Sequence, residues 1–319
     1  MARYLIKNLK VSSISKERPY CFRYRLQDAT LKNSIKNLGI LMPIVVAGTK
    51  RPVVVVGYKR FQLARELKLR EVMVFQIGRL NPREAFLMNL VSNWRQRFTE
   101  MDCVKALTLA SKGFRFPEKE ILECVMPFLG LSGEKGVLQA YLEADALSPA
   151  FKDFCEDGNL PLRCLASFLK FSRSDQNYFV QKVAFKMKLT SSQFLQIGEW
   201  LADLMRGSEK CLEPLLKKSR ILKELEHPSM DLRTKADRFF EAMRRLRFPG
   251  YSAFLDEFAL RKSYLTRDAK NIFIEPIAGF EEKGFEFHAR VKGPKELEVL
   301  LNTLAKKRPV LNSLFDVVL

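Results

Sequence analysis

Residues 53–64 read V-V-V-V-G-Y-K-R-F-Q-L-A. An apolar, β-branched run ends at Gly57, the cations Lys59 and Arg60 follow, and a helical pattern begins. A strand that breaks at glycine and opens a helix aims several backbone N–H groups at one spot. The helix dipole adds partial positive charge there, so an anion, most often phosphate, is favoured. Lys59 and Arg60 put full charges on the same spot, and a guanidinium can grip two phosphate oxygens at once. The stretch predicts strand, turn and helix, with Lys59 and Arg60 contacting phosphate.

The flanks extend the pattern. Residues 31–46 read L-K-N-S-I-K-N-L-G-I-L-M-P-I-V-V, with Leu31, Ile35 and Leu38 on one helical face. Gly39 stops that helix, and Pro43 to Val46 restarts the chain as a strand. Glu71 to Ile77 reads as a third strand. Pro82 suits the first turn of a helix expected to carry Asn93, Arg95 and Arg97. This order of elements over residues 20–107 resembles the N-terminal domain of the ParB family of DNA-partition proteins.

The resemblance implies a domain that binds a nucleotide, CTP or another nucleoside triphosphate, and clamps onto DNA as a dimer. The matching positions are Gly39 and Pro43 in the first motif and Gly57, Lys59, Arg60 and Ala64 in the second, usually G-E-R-R-x-x-A. In the third, usually E-N-x-x-R, they are Asn93 and Arg97, one residue further along. The glutamate of the second motif is Tyr58 here, and the glutamate before the asparagine is Ser92. Those carboxylates serve metal and hydrolysis in the family, and Mg2+-triphosphate prefers oxygen ligands. Phosphate binding is therefore expected with little turnover, at most a weak CTPase, and a role for Mg2+ stays open. The related sulfiredoxin chemistry needs the cysteine of G-C-H-R, whereas residues 57–60 are Gly, Tyr, Lys and Arg. Serine-kinase relatives need an acidic base near this turn, and none is evident.

Charge locates the same region. The chain has 319 residues, 47% hydrophobic and 29% charged, which fits a folded protein of two or three domains. Residues 1–115 hold 23 Lys or Arg against 7 Asp or Glu, so this third of the chain carries +16 of the net +19. A basic domain attracts polyanions through counterion release and long-range steering. The six cysteines include no C-x-x-C pair and there are only two histidines, which argues against a zinc cluster and for free thiols in a reducing cytosol. No leader-like segment or membrane-length apolar run is evident, so a cytoplasmic, nucleoid-associated protein is expected.

Residues 99–247 read as almost unbroken helix. Ile121 to Phe128, the turn L-G-L-S-G and Glu134 to Leu142 have helix-turn-helix proportions. Lys135 and Gln139 are the side chains there suited to DNA, with Arg163 a candidate phosphate contact. Gly133 and Gly136 make the second helix a poor reader of base edges. A short helix after Ser148-Pro149, ending at Gly158, also resembles ParB. Phe194, Ile197, Leu201 and Leu204 form one apolar helical face. A charged helix, Asp231 to Arg247, breaks at Phe248-Pro249-Gly250. Beyond it, strands at Asn271 to Pro276 and Phe285 to Val291, joined by an E-E-K-G turn, precede a helix with Leu297, Leu300, Leu301 and Leu304 on one side.

The expected class is α+β. A small ParB-like α/β domain (1–115) precedes an all-helical helix-turn-helix domain (116–247) and a strand-strand-helix piece (248–319) suited to dimerisation. The expected function is a ParB-like DNA-binding protein of chromosome or plasmid partition, or of regulation. Its partners would be DNA, a second copy and a partition ATPase, with no membrane. The alternative is a nucleotide hydrolase or phosphotransferase on the same fold, which needs a carboxylate at the phosphate turn. A third reading, an interaction scaffold without either ligand, is opposed by the concentrated charge.

Overall fold

A computed structural model describes residues 5–207, 211–267, 272–277 and 284–318. They fall into two compact units, residues 1–202 with 211–213, and residues 203–210 with 214–319.

Alternation builds the N-terminal sheet. Its strands are β1 (Leu5–Lys10), β2 (Ile44–Ala47), β3 (Val53–Val56) and β4 (Glu71–Ile77), in spatial order β1-β4-β2-β3. The β2–β4 pair is parallel and the other two are antiparallel, with a register irregularity between Val45 and Val46. Successive side chains leave opposite faces of a strand. Ile44, Val46, Val54, Val72 and Val74 join one cluster with Phe61 and Ala64, while Val55 packs with Ala85 on the other side.

Caps fix the helices around the sheet. Helix α1 (Ala29–Leu38) starts at Asp28, whose carboxylate accepts from the Leu31 N–H, and ends at Gly39 with φ 73°. Helix α2 is Tyr58–Glu66, and α3 (Pro82–Ser92) starts at Asn81 with Pro82 at its first position. Here the structure corrects the sequence reading, because α3 stops at Ser92 and does not carry Asn93, Arg95 or Arg97. Asn93 turns back instead: its Nδ2 donates to the Asn89 carbonyl at 2.7 Å, and its N–H donates to Leu90 O at 3.0 Å. A side chain bonding to local backbone in this way competes with helix continuation.

Helix α4 (Glu100–Thr108) begins with a reciprocal capping box between Thr99 and Asp102. Asp102 is 3% exposed and also holds the segment before α1, accepting from Arg23 Nη1 at 2.7 Å and the Tyr24 N–H at 2.7 Å. Phe22 packs edge-on to Phe86 and Phe98, which seats that segment against α3.

Further helices follow, the last of them passing into the second unit after Ala202. Helix α5 (Glu118–Glu120) runs into a wide helical turn, Ile121–Val125, followed by α6 (Lys135–Ala144), α7 (Pro149–Gly158), α8 (Leu162–Ser167), α9 (Arg173–Lys182) and α10 (Ser191–Gly207). The stop of α7 falls on Asn159, which adopts the left-handed conformation (φ 45°), one residue beyond the expected Gly158. Phe168 centres this core, with the rings of Phe151, Phe171, Phe179 and Phe194 within 4.6–5.0 Å of its own.

The C-terminal elements are α11 (Leu212–Lys218), α12 (Leu232–Arg247), α13 (Pro249–Thr266), β5 (Ile272–Pro276), β6 (Phe285–Ala289), α14 (Pro294–Lys306) and α15 (Arg308–Val318). Phe248 is the one residue between α12 and α13, so the Pro-Gly break starts a new helix. Ile272 and Ile274 of the antiparallel β5–β6 pair pack with Phe258, Leu265, Leu300 and Leu314. Only Leu300 and Leu304 of the expected leucine stripe reach this core, while Leu297 and Leu301 are exposed. Asn271 and the Glu281–Lys283 part of the expected turn lie outside the described residues. Among the described residues no helix is long and apolar enough to cross a membrane.

Asp102→Ala is expected to destabilise the first unit by roughly 2–4 kcal/mol, because it takes the counter-charge from a mostly buried guanidinium and removes a helix cap. A loss below about 1 kcal/mol in denaturant melts, the level of a surface pair, would show that the contact holds nothing.

Candidate functional site

The turn between β3 and α2 is left-handed, with Gly57 at φ 99° and ψ 30°. Beside it lies a cleft of about 470 Å3. Of the residues expected at a phosphate site, Gly57, Tyr58, Lys59, Arg60 and Asn93 line it. The first N–H groups of a helix have no partner within it, so α2 presents donors at this point.

Lys59 Nζ lies 3.1 Å from Asp28 Oδ2, and both side chains are about one-third exposed (32% and 29%). An ion pair that open contributes roughly 0–1 kcal/mol, so Lys59 is easily redirected to a stronger anion. The Asp28 carboxyl is held below its ordinary value, first by the Leu31 N–H and then by Lys59, against a desolvation effect of opposite sign.

Arg60 plays a different part from Lys59. Its Nη1 donates to the carbonyls of Met42 at 2.6 Å and Pro43 at 2.9 Å, which ties the loop before β2 to the start of α2. Burial pulls its pKa down. Nη2 and Nε stay available, packed where a Cβ on Gly57 would sit, 3.0–3.2 Å away. Gly39 and Pro43 act at one remove: Gly39 turns the chain out of α1, and the Pro43 carbonyl receives Arg60. Ala64 is fully buried under the sheet.

Tyr58 stands where the family motif has glutamate, but its hydroxyl is directed into the core. It donates to Val54 O at 2.5 Å and accepts from the Tyr20 N–H at 3.3 Å, and burial raises its pKa. The opposite wall is polar. Asn89, 4% exposed, donates to Tyr20 O at 2.7 Å and accepts from Asn93 Nδ2 at 3.1 Å. Arg23 Nη2 donates to Gln96 Oε1 at 2.5 Å, while Arg97 contributes its backbone carbonyl to Arg23 and has an exposed side chain outside the cleft.

Sequence reasoning missed Arg23, Asp28, Asn89 and Gln96. Asp28 was detectable as a cap three residues before Leu31, and Asn89 as the i−4 neighbour of Asn93. Arg23 left no local signal. Asp28 is the single carboxylate lining the cleft and is engaged by Lys59 and the Leu31 N–H, and among the described residues no group of three or more His, Cys, Asp or Glu is placed to hold a metal ion by itself.

The expected DNA contacts lie elsewhere in the first unit, all exposed. Lys135 Nζ pairs with Glu118 at 2.7 Å, Gln139 donates to Glu143 at 2.8 Å, and Arg163 sits on α8.

An α/β domain with cations gathered at a helix start is thus defined, and comparison with known proteins bears on it. Residues 3–94 match the model of the ParB N-terminal domain. No curated protein matches the sequence. Among solved structures the chain is similar to the C-terminally truncated chromosome-partitioning protein ParB from Caulobacter crescentus. In complex with the centromeric parS site, that protein shows 13% identity and a TM-score of 0.35, with 60% of this chain and 98% of that one covered. In complex with CTP-gamma-S the values are 17%, 0.23, 55% and 97%. A pNOB8-like ParB N-domain gives 12%, 0.31, 77% and 97%.

Gly57→Ala should destabilise by more than the backbone term alone. A left-handed alanine costs about 1–2 kcal/mol, and the new Cβ would also strike the Arg60 guanidinium. A loss below about 1 kcal/mol in denaturant melts would mean that Arg60 is not held against the turn.

Asp28 gives a pH signature. Its folded pKa lies below the ordinary 3.8, so its stabilisation is complete at neutral pH and is lost as pH falls through 3.8 to the folded value. Asp28→Ala should cost about 0.5–2 kcal/mol at pH 7 and flatten the acid limb of the stability curve. An unchanged acid limb would rule the carboxylate out.

Proposed function

We propose that this chain is a ParB-like DNA-binding protein of DNA partition whose N-terminal domain binds a nucleoside triphosphate, CTP by family resemblance, with little or no hydrolysis. The observation that carries the reading is the cleft at the start of α2, where a left-handed glycine, a weakly paired lysine and a packed arginine converge. Bound triphosphate would take Lys59, the Arg60 Nη2 edge and the first N–H groups of α2, while Asn93 lines the facing wall.

The +16 charge of residues 1–115 supports DNA as the partner, and the helices beyond residue 116 are proposed to grip it. Specificity would be weak, since Lys135 and Gln139 are paired to neighbouring carboxylates. Dimerisation through residues 248–319, a partition ATPase as a further partner and a place on the nucleoid complete the proposal. The hydrolase alternative has one structural point in its favour, the Asp28 carboxylate at the cleft. Its engagement by Lys59 and the Leu31 N–H favours a binding role instead.

Calorimetric titration of CTP, ATP and short duplex DNA, with and without Mg2+, tests the reading. Lys59→Ala should weaken nucleotide binding by about 1.5–3 kcal/mol, the range of a charge-assisted hydrogen bond, while leaving the fold intact. Unchanged affinity in a folded variant would remove the cleft from the account. Phosphate release should stay near background, and steady turnover abolished by Lys59→Ala would restore the hydrolase. A folded chain that binds neither ligand would leave only a scaffold.

A further inference from the structure

We propose a second anion site, at the opposite end of α2, that takes the phosphodiester backbone of duplex DNA. It rests on the DNA-binding reading above and is separate from the nucleotide cleft.

The site is a shallow basin of about 920 Å3 where three segments meet: the end of β1 and the turn after it, the last turn of α2, and the start of β4. Lys10, Lys16, Arg65, Lys68 and Arg70 line it, with Glu71 the one carboxylate. All five cations are exposed, and among the described residues none forms an ion pair. In the cleft, by contrast, Lys59 and Arg23 have carboxylate partners. A concavity lined by one sign of charge focuses its field outward and concentrates counterions.

Local structure accounts for only part of this. Cations suit a helix C-terminus, which explains Arg65 and Lys68 but not Lys10, Lys16 or Arg70. Lys68 carries the second observation. The Leu69 N–H donates to Ala64 O at 2.9 Å and the Lys68 N–H to Arg65 O at 3.1 Å, the two bonds of a Schellman ending. Its left-handed position is normally glycine, yet Lys68 occupies it at φ 54°. A charged side chain is thus held at the rim in a backbone conformation that glycine would adopt without strain. The base of the basin is fixed by the β1–β4 ladder and by the Val11 N–H to Arg70 O bond of 3.0 Å.

The chemistry selects the ligand. The carbonyl end of α2 disfavours an anion held against backbone, so binding must run through long side chains spread around the rim. Many separate cations suit a polymer of phosphates better than one phosphate group. An acidic peptide would also want apolar anchorage, and the basin offers only Val11 and Leu69, both partly buried against the protein core.

The test uses the full chain and a short random-sequence duplex, with affinity followed against salt. The double variant Lys16→Gln/Lys68→Gly should lower the slope of log affinity on log salt by about 2, at roughly 0.9 for each phosphate no longer neutralised. CTP affinity should not change, and Lys68→Gly alone should melt at or above the wild-type temperature. An unchanged slope in a variant of a chain that binds duplex overturns the basin while leaving the DNA reading in place. Wild-type protein that binds no duplex at low salt overturns both. Poly-glutamate binding abolished in the variant, with duplex binding intact, would overturn the proposal and assign the basin to an acidic protein.

Discussion

The left-handed turn at Gly57 is the constraint on which the rest of the site depends. Gly57 is the one residue between β3, an edge strand of the sheet, and α2, so it sets how the helix leaves that edge. Because there is no Cβ, the Arg60 guanidinium lies against the turn and reaches the Met42 and Pro43 carbonyls. The loop leading into β2 is thereby attached to the helix that follows β3. Tyr58 fastens the same turn from beneath through Val54 O. One torsion angle thus sets the relative positions of two strands, a helix start and a loop.

The facing wall has its own anchor. Arg23, Asp102 and the Thr99 cap tie the segment before α1 to the start of α4, and Gln96 and Asn93 are carried between them. The two walls share one support, Tyr20, whose N–H donates to the Tyr58 hydroxyl on one side and whose carbonyl accepts from Asn89 on the other.

Legibility in the sequence followed the range of the interaction. Runs of valine and isoleucine marked β2, β3 and β4, and Gly39, Gly57 and Pro82 marked the helix ends, because each acts on its immediate neighbours; β1, with its charged and polar residues, went unread. The length of α3 was misread because the Asn and Arg of the third motif were placed on it, whereas Asn93 turns back through its bond to the Asn89 carbonyl. Tyr58 was assigned to the site by position in a motif, yet its side chain belongs to the core, which position alone does not reveal. Arg23 was invisible because its partner Asp102 is 79 residues away. Helices α13 and α15 were missed because their apolar residues serve a small core and leave large side chains such as Phe254, Leu260 and Phe315 outside.

Asp28 has a consequence for selectivity. It caps α1 and, across the cleft, neutralises Lys59, so the site contains its own competing anion. A single monovalent ion arriving from solvent would gain little by replacing a carboxylate already in place. Under the proposed function, a ligand with several phosphates would engage the α2 start and Arg60 as well as Lys59, and the pair would then act as a threshold against small anions.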